Sequence, residues 1–278
     1  MSTELAEPVK AQPAAEEEIL TVTERKPAPE SVKKDMTRTA VIFGQSDQEL
    51  ETEFKAYKAR KLFRKINYDI LDNEFDTATL KQKCDEAVKS GVGSITVLPN
   101  FIKDCQRFLR GQNIKVCSVV GYPYGEEFFK TKLFQTKRAV AYGADEIYAC
   151  VSISEIKNGN YTMIGREVKR LVNACRDRPL CVVIETCALT SVQLERACRE
   201  VSKYKIKYIA TATGIKPCDK VYQTVKNIRS ALTDKVGIIA VGDINGIDDL
   251  IRIFEIVDRV SIKNAPDIAE KLKTEINF

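Results

Sequence analysis

The chain has 278 residues, 44% hydrophobic and 30% charged, enough apolar material for one large core or two smaller ones. Lys and Arg number 44 against 39 Asp and Glu, a surplus too small to imply nucleic acid or a membrane as partner. With no histidine, His-based triads, HExxH zinc sites and imidazole pH switches are excluded.

No run approaches the roughly 18 apolar residues that a membrane-spanning helix needs. The start, MSTELAEPVK, lacks the basic-then-apolar order of a signal peptide. Nine cysteines form no CxxC pair and sit inside apolar segments, which predicts buried, reduced thiols in a cytoplasmic protein and no metal cluster.

Residues 1–36 hold four of the nine prolines and no aromatic residue, with five basic residues against eight acids. That composition predicts a disordered acidic tail. The body, 37–278, is correspondingly basic. Its first part, 37–65, reads as an N-terminal arm with a short strand at 40–43. A helix follows over 47–64, with Leu50, Phe54 and Tyr57 on one face and Lys55, Lys58, Lys61 and Lys65 on the other.

Short apolar runs then alternate with amphipathic segments. Strands are expected at 67–71, 94–98, 115–120, 145–151, 180–184, 207–211, 236–241 and 259–262. Helices lie between them, among others at 77–90, 128–142, 161–175 and 190–203, with Gly91, Gly111 and Gly143 placed as C-caps. Eight strands each followed by a helix predict an α/β TIM (β/α)8 barrel. An open doubly wound sheet is disfavoured because the first strand runs into DNEFD, which is not glycine-rich. The chemistry of a barrel belongs at the C-terminal strand ends. Those ends are polar here, and the residues alone leave open whether they hold a ligand or are ordinary turns.

Four segments carry a resemblance: VCSVVGYPYG at 116–125, GADEIY at 143–148, VIETC at 183–187 followed by Leu189 and Thr190, and TATG at 211–214. Their order and spacing over 66–263 resemble deoxyribose-phosphate aldolase, a class I aldolase of TIM-barrel fold. The resemblance implies a lysine that forms a Schiff base, a second lysine that tunes it, and a proton-relay aspartate. The matching positions are Ala210, Ile239 and Tyr148. It also implies glycine N–H groups that hold phosphate after strands seven and eight. Gly242 matches, Asp243 replaces the next glycine, and Lys263 ends strand eight. Near strand one a family Asp-His-Thr segment reads Asn67, Tyr68 and Asp69, and the family's C-terminal tyrosine is matched by Phe278.

These substitutions lead to the expectation of a non-enzyme with no catalytic, cofactor or metal residues. Its barrel would serve as a scaffold for a protein partner, of cytoskeletal or regulatory kind by analogy with other TIM-barrel aldolases. Weak sugar-phosphate or anion binding and self-association stay open. The alternative is residual or altered aldolase (lyase) activity through a relocated lysine. Lys216 and Lys263 lie on the catalytic rim, whereas Lys207 belongs on the helix-facing side, and Glu185 is a candidate base. A lysine aimed into the mouth favours the enzyme; a mouth filled by Tyr148, Ile239 and apolar neighbours favours the scaffold.

Overall fold

The computed structural model describes Tyr57 and residues 60–215, 221–232, 235–242 and 246–276. The expected acidic tail and the arm strand lie outside these residues. So do Lys216, Asp243, Phe278 and all but the end of the 47–64 helix.

Eight parallel strands close into a barrel in chain order, as the alternation predicts. They are β1 Ile66–Ile70, β2 Ser94–Val97, β3 Lys115–Val120, β4 Glu146–Cys150, β5 Leu180–Val183, β6 Tyr208–Ala210, β7 Gly237–Val241 and β8 Arg259–Ile262. The barrel closes where Asn67 of β1 pairs in register with Ser261 of β8. The helices are α1 Thr77–Ser90, α2 Ile102–Phe108, α3 Phe129–Ala141, α4 Ile153–Lys157, α5 Tyr161–Cys175, α6 Ser191–Val201, α7 Val221–Ala231, α8 Ile247–Phe254 and α9 Ala265–Ile276. Local chemistry sets their ends. The Asp76 side chain accepts from the Thr79 N–H at the start of α1, and Thr190 and Gln193 form a reciprocal capping box on α6.

Strand alternation divides the apolar residues into two cores. Ile66, Ile70, Ile95, Ile147, Val182, Ile209 and Ile238 face outward and pack under the helices. Cys117, Val119, Tyr148, Cys150, Cys181, Val183, Ala210, Ile239 and Val241 face inward and fill the barrel. Among the described residues no helix is long and apolar enough to cross a membrane. Among the described residues seven cysteines carry free, buried thiols, but Cys187 is disulfide-bonded, which corrects the expectation of reduced thiols. Cys187 stands in the turn Thr186–Ala188 after β5, outside the apolar runs that bury the others.

Candidate active site at the barrel mouth

The floor of the barrel is ionic. Glu146 of β4 points inward and is 1% exposed; Arg259 of β8 grips it with two bonds of 2.7 and 3.1 Å, and Lys115 adds one of 2.7 Å. Burial alone would raise the Glu146 carboxyl, but the two cations more than offset it and hold the group below the usual range. The Tyr208 ring lies 4.7 Å from the Arg259 guanidinium. Position 237 has to be glycine for this packing, since a Cβ there would stand 2.5 Å from the Tyr208 ring.

Above the floor lie the three positions that the resemblance singles out. Ala210 is 1% exposed, Ile239 0% and Tyr148 4%. Ala210 and Tyr148 border a cavity of about 20 Å³, lined also by Asp69, Thr96, Tyr122 and Ser261. That is room for one water and no substrate. Any ligand therefore sits at the rim, above positions 210 and 239.

The layer beneath the rim is polar and, among the described residues, has no ionic partner within hydrogen-bond reach. Ser261 Oγ donates to Asp69 Oδ1 at 2.6 Å, and the Asn67 amide donates to Asp69 Oδ1 at 3.0 Å, to Ser261 Oγ at 2.7 Å and to Thr96 Oγ1. Burial pushes the Asp69 carboxyl up to about 6, against the opposing pull of Ser261, Thr96 and the more distant charge of Lys263. A carboxyl at that value exchanges protons near neutral pH. Lys263 is exposed and directly follows β8, two positions after Ser261, and its charge acts on the Asp69 carboxyl.

Other rim groups are held in place. Glu185 Oε2 accepts from the Thr213 N–H at 3.1 Å and the Thr213 hydroxyl at 2.7 Å, and its buried Oε1 has no hydrogen-bond partner among the described residues. The loop after β3 is clamped from below by Lys132 of α3, 1% exposed, which donates to the Gly125 carbonyl at 2.7 Å and pairs with Glu167 at 2.5 Å. Gly125 has φ +71, and a Cβ there would lie 2.6 Å from the Val151 backbone. Tyr122 of this loop packs on the inner core at the mouth.

Not every expected residue reaches the mouth. Lys207 precedes β6, at the end of the barrel opposite the rim, with its carbonyl accepting from the Gly237 N–H. The Gly242 N–H is used by the Ser261 carbonyl at 3.3 Å. Asp69 and its partners were not singled out as a site by the sequence. The signal was a period-two polar pattern, Asn67–Asp69 and Ser94–Thr96, inside fully buried strands.

Comparison with known proteins gives these positions a lineage. The model of the DeoC/LacD family aldolases matches residues 71–217. The deoxyribose-phosphate aldolase of Malacoplasma penetrans is 31% identical over 217 residues, 78% of this chain and 98% of that protein. That of Clostridioides difficile is 33% identical over 196 residues, 70% of this chain and 89% of that protein. The solved structure of the aldolase QR15 superposes with a TM-score of 0.73 at 22% identity, over 77% of this chain and 96% of that one, a likeness of fold.

These relatives overturn the expectation that the chain is not an enzyme: curated proteins 30–33% identical to it are named as aldolases. Their names lend no support to a protein-binding role. The expectation gave the rim lysines Lys216 and Lys263 only as an alternative and rested chiefly on positions 148, 210 and 239. Substitution there removes an amine from the depth of the barrel and says nothing of Lys263 at the rim. The chain belongs to the DeoC/LacD aldolase family.

Proposed function

We propose that the protein is an altered aldolase that makes or breaks a carbon–carbon bond beside a carbonyl at the rim of the barrel. Lys263 supplies the amine, and Asp69 beneath it holds and returns the proton. The observation that supports this reading is that Lys263 directly follows β8 and its charge acts on Asp69, the carboxyl that Ser261 hydrogen-bonds.

In the cleavage direction the Lys263 amine adds to the substrate aldehyde, and loss of water gives an imine. The protonated imine takes up the electron pair of the breaking bond as the β-hydroxyl proton passes, through water, towards Asp69. The second aldehyde departs, the enamine regains a proton, and hydrolysis frees the amine. The unpartnered Glu185 Oε1 is placed to accept a substrate hydroxyl at the rim.

The relatives' name supports deoxyribose 5-phosphate as the first substrate to test. Aldehyde release from it is expected from the native protein, rising with pH through about 6 as Asp69 ionises. Lys263→Ala should lower the rate at least about 100-fold, and Asp69→Asn should lower it and flatten the rise with pH. No release by the native protein, or an unchanged rate in Lys263→Ala, would remove the reading.

A further inference from the structure

A second hollow opens at the N-terminal end of the barrel, away from the mouth. It has a volume of about 580 Å³ and is bordered by α2, the turn that follows it and the start of β3. That is within the range of small-molecule sites, roughly 300–1,000 Å³.

Four cations line it, Lys103, Arg107, Arg110 and Lys115, against a single carboxylate, Asp145. Asp145 is already engaged: it accepts from the Val116 N–H at 2.9 Å and from Gln106 at 3.2 Å, and pairs with Arg178 at 3.5 Å. Arg107 shares its charge with Asp104 at 2.7 Å. Lys115 reaches Glu146, a carboxylate that Arg259 has already neutralised. Lys103 and Arg110 have no ion pair among the described residues, and the Lys103 ammonium rests 4.3 Å from the centre of the Tyr142 ring. Lys103 and Arg107 lie one turn apart on α2 and Arg110 stands in the turn after it, and all three line the hollow.

We infer that this hollow is a binding site for a small polyphosphate, a ligand with two or more linked phosphates. Four cations against one carboxylate that is already engaged favour a ligand with several linked negative groups over a single phosphate. The concave shape fits a small ligand better than the surface of a macromolecule. Nothing in this inference depends on the chemistry at the mouth.

The test is calorimetric titration of the full chain with tripolyphosphate, repeated with inorganic phosphate and with a short poly-glutamate peptide. Saturable one-to-one binding of tripolyphosphate is expected, weakening as salt is raised. A Lys103→Ala/Arg110→Ala double variant should bind at least tenfold more weakly, and Lys103→Arg and Lys263→Ala should bind as the native protein does. Circular dichroism of each variant establishes that it is folded. The inference is overturned by absent binding, by equal binding in the folded double variant, or by a peptide that binds more tightly than tripolyphosphate.

Discussion

Glu146 and Asp69 are both buried carboxylates on the inner face of one barrel, yet their surroundings drive them in opposite directions. Glu146 on the floor has a two-pronged guanidinium and an ammonium, and stays ionised. Asp69 beneath the rim has, among the described residues, only hydroxyls and an amide within hydrogen-bond reach, and its carboxyl is pushed up to about 6. Desolvation is common to both; what differs is whether a cation was buried alongside. The floor is thereby a structural lock. The upper layer keeps a proton that can move.

The largest effect should come from breaking the lock. Arg259→Met leaves Glu146 buried without its main partner, a loss of about 3–5 kcal/mol in urea unfolding, with Lys115 limiting the damage. A loss below about 1 kcal/mol would mean that the lock is not what the distances suggest.

Asp69→Asn should act the other way. The folded Asp69 carboxyl binds its proton more tightly than the ordinary value of 3.8, at about 6. Native stability therefore falls as pH rises from about 4 to about 6 and stays reduced above that, by up to about 3 kcal/mol. The variant escapes this cost, so its advantage should be greatest above pH 6 and vanish below about 4. Thermal unfolding across pH checks the sign, and an advantage that grows on acidification would refute it.

The smallest effect sharpens the same contrast. Ser261→Ala removes a hydroxyl that donates to the Asp69 carboxylate, costing about 1 kcal/mol at neutral pH and moving the stability midpoint upward in pH. An unmoved midpoint would show that Ser261 does not hold the charge.

The barrel itself was legible in the sequence because its strands are short apolar runs with turn residues at both ends. The expected helices 77–90 and 161–175 match α1 and α5 residue for residue. The resemblance picked out Ala210, Ile239 and Tyr148, and all three lie on the inner face. The Asp69 layer was not legible, because its bonds join residues far apart in the chain, Ser261 and Asp69 being 192 positions apart. Only the closing of β8 on β1 brings them together. Lys132 was hidden differently. It lies within a segment correctly expected to be a helix, but shares its inward stripe with Thr136 and Ala139, where a lysine reads as solvent-facing.

The central claim, an amine at the rim working over a proton-exchanging carboxyl, is tested most directly by borohydride trapping. The native protein is incubated with deoxyribose 5-phosphate and borohydride, and the adduct is located by intact-mass and peptide-mapping mass spectrometry. The account predicts a single adduct on Lys263 that is lost in Lys263→Ala. No adduct, or one that maps to a different lysine, would contradict it.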